Sequence, residues 1–152
     1  MKKPRILVTS ARNALRYVMG HFCEPGVTEY AEKTDTYAAI SIQDTYGGGF
    51  GFELIKNKYC KDVLTLYFDD IEEPEHGLRL ISFHQAIAIV KFIKDHSEDV
   101  DTLLIHCFAG VSRSRAVGVF AREVLDIPTT DETEYNKYVY SLLCQAWMQL
   151  EK

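Results

Sequence analysis

The sequence predicts a single α/β domain with a mostly parallel central sheet flanked by helices. Three observations carry this reading. Four short runs rich in β-branched and apolar residues read as strands, at 5–9, 37–42, 63–68 and 103–107. Three of them are apolar nearly throughout, as strands covered on both faces are. Helical apolar spacing separates and follows the later strands, and such alternation points to helices layered over a sheet. The 152 residues make one domain's length, and no repeat or linker divides them, so 1–152 is read as one unit.

Each element has its own signal. The first strand is Arg-Ile-Leu-Val-Thr, and the stretch from Gly20 to Thr36 shows no clear period. After the second strand comes Gly47-Gly48-Gly49-Phe50-Gly51. A nucleotide-binding loop would need a Lys-Ser/Thr ending and a helix directly behind it, and neither is there. A flexible turn is the better reading, with Phe50 and Phe52 packing on the core or edging a pocket. The third strand ends on Asp69-Asp70. Leu80, Phe83, Ile87 and Val90 then keep helical spacing, with Ile81, Ala86, Ile89 and Ile93 widening the stripe. The fourth strand leads to a helix at about 114–125, which stops before Pro128. A last helix carries Tyr135, Val139, Leu142, Leu143, Ala146 and Leu150 on one face. Thr129, three residues before Glu132, gives its start capping-box spacing.

Composition sets the outer bounds. With 47% apolar and 26% charged residues the chain folds; it is neither disordered, coiled-coil nor collagen-like. No stretch reaches the roughly 18 to 20 consecutive apolar residues of a membrane helix. The basic start (Lys2, Lys3, Arg5) is followed by only three apolar residues, too few for a secretion signal, so a cytoplasmic protein is expected. Twenty-two acids against 17 bases give a net charge of −5, which disfavours nucleic acid and anionic membranes as partners. Cys23, Cys60, Cys107 and Cys144 contain no CxxC pair and form neither a disulfide framework nor a zinc pattern.

The chemistry concentrates between 103 and 116, Leu-Leu-Ile-His-Cys-Phe-Ala-Gly-Val-Ser-Arg-Ser-Arg-Ala. A buried-type strand ends on His106-Cys107, a short loop follows, and a helix begins near Arg113. The cysteine therefore lies at the carboxyl end of a strand and faces a helix N-terminus, where ligands of open α/β sheets bind. Unpaired N–H groups and the helix dipole favour an anion there. Gly110 allows the backbone of the 108–112 loop to approach a tetrahedral oxyanion closely. Arg113, six positions after Cys107, can close the ring with a fork matched to two oxygens. The same positive field favours the thiolate of Cys107, the nucleophilic form.

His106-Cys107, Gly110 and Arg113-Ser114 resemble the HCxxGxxR[ST] signature of the cysteine-dependent protein tyrosine phosphatases. The form His-Cys-Phe-Ala-Gly-Val-Ser-Arg-Ser and the compact size are most similar to the dual-specificity subgroup, including small prokaryotic and phage members. The resemblance is firm from Val63 to Leu125 and weaker before and after. It implies a phosphotyrosine phosphatase, with phosphoserine and phosphothreonine as further substrates, needing no metal or other cofactor. Phosphorylated proteins or peptides would be its partners. Cys107 would form a cysteinyl-phosphate. Arg113 and the N–H groups from Phe108 through Ala109, Gly110, Val111 and Ser112 would hold the equatorial oxygens. Ser114 would steady the departing thiolate, and His106 would organise hydrogen bonds at the cysteine. The general acid would be an aspartate after the preceding strand. Asp70 is preferred for its Phe-x-Asp-Ile setting; Asp69, Glu72, Glu73 and Glu75 remain alternatives.

The other residues carry plainer readings. Cys23, Cys60 and Cys144 are expected to be structural thiols, although some relatives pair a second cysteine with the nucleophile, which Cys60 could do here. His21, His76, His84 and His96 lack ligand spacing. Lys56-Asn57-Lys58-Tyr59 resembles a phosphotyrosine-recognition loop of larger phosphatases but lies too near the cysteine in sequence. Arg12 and Arg115 are even candidates for added charge at the mouth. Tyr46, Phe50, Phe52 and Ile71 are candidates for its walls. Competing functions are an RNA 5′-end or inositol-lipid phosphatase and a silent phosphate-binding adaptor. A rhodanese-like sulfurtransferase is disfavoured by the His-Cys start and Arg-Ser finish. The loop has no lysine of the lipid-specific kind, and an adaptor typically loses the Cys or Arg retained here.

Overall fold

The computed structural model describes residues 2–22, 34–129 and 131–151. In chain order these form β1 (Arg5–Thr9), α1 (Ala11–Gly20), β2 (Tyr37–Gln43), a 3₁₀ turn (Tyr46–Gly48), β3 (Cys60–Tyr67), α2 (Phe83–Asp95), β4 (Thr102–His106), α3 (Arg113–Val124) and α4 (Lys137–Leu150). The four strands make one parallel sheet in the order β1-β4-β2-β3. β4 therefore lies between two neighbours, with His106 level with Thr9 on one side and Ser41 on the other.

Side-chain alternation sends the strands' residues to two cores. Ala38, Ile40 and Ile42 of β2 and Leu103 and Ile105 of β4 pack with Ala86, Ile89, Val90 and Ile93 of α2. Val117 and Phe120 of α3 and Val139, Leu143 and Ala146 of α4 complete that layer. On the other face Tyr37, Ala39, Cys60 and Leu104 pack with Ala14 and Tyr17 of α1. Being covered on both sides explains why the strand runs are apolar throughout. α3 lies very close to β1 because Gly118 has no side chain: a Cβ there would sit 2.4 Å from Val8 Cγ2.

Local chemistry sets the helix starts. Ser10 caps α1 by accepting the Asn13 N–H at 3.1 Å. Ser82 and Gln85 form a reciprocal capping box for α2. That box places Leu80 and Ile81 before the helix, and leaves Phe83 42% exposed rather than in the buried stripe. α4 departs further from the sequence reading. Its N-cap is Asn136, not Thr129, and Tyr135 precedes it. Glu132 is drawn instead to Arg115, 3.6 Å away, whose guanidinium also donates to the Glu134 carbonyl, so no capping box closes there. α1 has no counterpart in the sequence reading. Among the described residues no helix is long and apolar enough to cross a membrane.

Candidate active site

β4 ends at His106, and Cys107 opens a loop that closes on α3 at Arg113. The loop is seated on the corner between β1 and α1. The Ala11 N–H donates to the Phe108 carbonyl at 2.9 Å. Gly110 has φ +78°, and a Cβ there would lie 2.5 Å from the Thr9 carbonyl carbon and 2.6 Å from the Ser10 nitrogen. Both the left-handed backbone and the close approach require glycine at this position.

Cys107 is 2% exposed. Its Sγ accepts the Gly110 N–H at 3.2 Å and lies 3.0 Å from Ser114 Oγ in the first turn of α3. Among the described residues the N–H groups of Phe108, Ala109, Val111 and Ser112 have no backbone acceptor. Arg113 is almost wholly buried. Its Nη1 pairs with Asp44 Oδ1 at 2.7 Å and donates to the Phe68 carbonyl at 2.8 Å. Its Nε has no hydrogen-bond partner. Leaving a buried cationic N–H unmatched costs about 1–3 kcal/mol or more, so such groups are rare without a ligand.

Behind the cysteine, His106 is fully buried and bonded at both nitrogens. Nδ1 lies 2.9 Å from the Cys107 carbonyl, which can only accept, so Nδ1 carries the hydrogen. Nε2, 2.7 Å from Ser41 Oγ, is then the acceptor from the hydroxyl. Gln43 Nε2 donates to the same Ser41 oxygen at 3.2 Å and to the Phe52 carbonyl at 3.1 Å, while its Oε1 accepts the Phe50 N–H at 2.7 Å. Burial pushes the His106 imidazole below its ordinary value; the bond to Cys107 opposes this, and the Arg113 charge adds to it. The ring is neutral, holding the Cys107 backbone without competing for charge. The glycine-rich turn is a turn indeed, its Phe52 ring stacked 5.6 Å from His106 and Phe50 5.5 Å from Phe108.

The two candidate aspartates have different surroundings. Asp69 is buried and turned inward: Oδ1 accepts the Thr45 N–H, and Oδ2 accepts the Thr45 hydroxyl and the Arg79 N–H. Burial raises its carboxyl, but those hydrogen bonds and the Arg113 charge outweigh it and hold Asp69 below the usual carboxylate range. Both of its oxygens are engaged within the fold. Asp70 is exposed and reaches the loop, its Oδ1 accepting from Ser112 Oγ and Asn136 Nδ2, both at 2.8 Å. Asp70, Ile71, Glu72, Glu73, Glu75 and Ser112 line an open cleft of about 570 Å³. Glu72 also accepts the Lys137 N–H that opens α4.

The remaining residues singled out in the sequence divide between mouth and periphery. Phe108 and Val111, within the loop, are exposed, and Tyr46 is turned outward. Arg115 is turned to Glu132 and Glu134, and Arg12 is exposed on α1. A Cys60–Cys107 bridge is excluded by topology. Cys60 pairs with Tyr37, which is level with Thr102, and Cys107 lies five residues beyond. At about 3.3 Å per residue the two are roughly 16 Å apart along the strands, against a limit near 7 Å between Cα atoms. Burial pushes the Cys60 and Cys144 thiols up. The 56–59 segment lies at the same far end of the sheet, where Asn57 accepts the Tyr59 and Cys60 N–H groups. His21 and His96 bond to Asp35 and to Asp62 and Asp99. Cys23 lies outside the described residues.

Ser41, Gln43, Asp44 and Asn136 were not legible as site residues. The available signal for the first two was a pair of polar residues, alternating in phase, on an otherwise apolar strand. Compared with known proteins, the chain matches no family model, no curated protein and no solved structure.

Proposed function

We propose that this chain is a cysteine-dependent phosphomonoester hydrolase, acting first on phosphotyrosine in proteins or peptides. The observation that carries the reading is the unpartnered Nε of buried Arg113, at the end of a loop that begins at Cys107 and in which the N–H groups of Phe108, Ala109, Val111 and Ser112 have no backbone acceptor among the described residues. A phosphoryl group supplies the oxygens all of these donors need. Phe50 and Phe108 beside the loop suit an aromatic ester.

The proposed cycle consists of two displacements at phosphorus. The Cys107 thiolate attacks phosphorus, the P–O ester bond breaks, and its electron pair leaves with the oxygen. Asp70 protonates that oxygen, and the phosphoryl group remains on sulfur. Water then attacks phosphorus, giving its proton to the Asp70 carboxylate. The S–P bond breaks, inorganic phosphate leaves, and the thiolate returns to the hydrogen bond of Ser114. Arg113 and the loop N–H groups hold the three equatorial oxygens throughout. Nucleophile, clamp and acid all come from the chain, so the reaction is written without a metal. It needs thiolate and protonated acid together, and its rate is accordingly bell-shaped in pH.

The test compares the parent chain with Cys107→Ser on p-nitrophenyl phosphate and a phosphotyrosine peptide, with EDTA present. Turnover by the parent and none by the variant is the expected result. Equal inactivity of both would overturn the phosphotyrosine-hydrolase reading in favour of a phosphate-binding or RNA-end role.

A further inference from the structure

Asn136 is a buried polar side chain that joins three segments at the site. It is 1% exposed. Its Oδ1 accepts the Val139 N–H at 2.9 Å, which caps α4. Its Nδ2 donates to Asp70 Oδ1 at 2.8 Å and to the Ile71 carbonyl at 3.1 Å. Its own N–H donates to the Ser112 carbonyl at 3.3 Å. One residue therefore ties the acid-bearing segment to the 107–113 loop and to the start of the last helix. Capping alone would need only the Oδ1 bond. The amide's two donated bonds go instead to the segment carrying Asp70.

We infer that Asn136 is a positioning residue for the general acid, setting both the place of Asp70 and which of its oxygens carries the proton. The inference rests on the hydrolase reading above. Asp70 Oδ1 already receives two hydrogen bonds, from Asn136 Nδ2 and Ser112 Oγ. In a protonated carboxyl the carbonyl oxygen is the good acceptor and the hydroxyl oxygen the donor. Oδ1 is thereby the carbonyl oxygen, and the proton sits on Oδ2, free to be given to a leaving group. Without Asn136 the carboxyl keeps one tether, Ser112, and the Ile71 carbonyl loses its donor, which leaves the Glu72 bond to the Lys137 N–H as the segment's link to α4. The acid is then present but misplaced, which costs rate only where protonation of the leaving oxygen limits it.

The test separates this role from capping. Asn136→Ser keeps a good, uncharged N-cap, and Asn136→Asp keeps the cap acceptor; both lose the amide donor. Each is assayed on phenyl phosphate, whose leaving group needs a proton, and on p-nitrophenyl phosphate, whose leaving group needs it far less. Each is also built in an Asp70→Asn background. The expected result is a loss of about tenfold or more in kcat/KM on phenyl phosphate, against about twofold or less on p-nitrophenyl phosphate. In the Asp70→Asn background the change at 136 should have no further effect on phenyl phosphate. Equal losses on both esters, or a further loss on top of Asp70→Asn, would overturn the inference and leave Asn136 a helix cap. A parent chain inactive on both esters would instead sink the hydrolase reading, and this inference with it.

Discussion

Gly110→Ala is the sharpest test of the idea that the 107–113 loop is a rigid cradle. The new Cβ would lie 2.5 Å from the Thr9 carbonyl carbon, about 0.9 Å short of an ordinary 3.4 Å contact. Both nearest neighbours are backbone atoms, which cannot rotate away. A φ of +78° adds about 1–2 kcal/mol for any residue with a Cβ. If the loop held its place, overpacking would add about 1–3 kcal/mol. The cheaper response is for the loop to lift by nearly the missing distance. A displacement of about 1 Å can cost on the order of a hundredfold in rate. The expected outcome is therefore a kcat/KM on p-nitrophenyl phosphate lower by about two orders of magnitude, with a modest fall in thermal midpoint. Gly51→Ala is the control: φ is +88°, but nothing lies within 4 Å of its Cβ. It should lose about 1–2 kcal/mol to strain, a few degrees in midpoint, and little activity. A Gly110→Ala chain with parental kcat/KM would refute the reasoning.

Three further outcomes follow from the same geometry. Asp44→Asn removes the charge that fixes Arg113 Nη1, so KM should rise severalfold in steady-state assays; an unchanged KM would detach Asp44 from the clamp. Asp69 has a carboxyl held low in the fold, so its contribution is present above the unfolded value of about 3.9 and lost as pH falls through the lower folded one. The parent and Asp69→Asn should accordingly differ in thermal midpoint near neutrality and converge in strong acid, and a constant gap would contradict that. Gly118→Ala gains about 1 kcal/mol of helix propensity but drives a methyl to 2.4 Å from Val8 Cγ2, an overpacking cost of about 1–3 kcal/mol. It should be neutral to destabilising, and Val8→Ala should rescue it; a clearly raised midpoint would argue against the tight α3–β1 contact.

What could be read in the sequence, and what could not, follows the physics of each element. The strands were legible because burial on both faces makes them continuous apolar runs, as at Leu103, Leu104 and Ile105. α1 was not, because the face it buries is Ala11, Ala14, Tyr17 and Gly20, too small and sparse to make an apolar stripe. His106, Cys107, Gly110, Arg113 and Ser114 were legible together because one strand–loop–helix corner carries them all. Ser41, Gln43 and Asp44 reach the same place only because β2 lies beside β4, a neighbour relation that no local pattern encodes. Asn136 was hidden for a related reason: an apparent cap at Thr129 drew the helix start seven residues too early, past the residue that does the capping.

The central place of β4 in the sheet has a consequence for how the molecule breathes. All five of its residues are buried, and both neighbouring strands must part before its amides meet water. Such amides exchange hydrogen only in openings close to global unfolding, whereas exposed turns exchange through small local ones. The strand that delivers Cys107 should thus be among the last to exchange. The 46–51 turn, with Tyr46 outward, should be among the first. Slow fluctuations then reshape the wall beside Cys107 and leave its footing still.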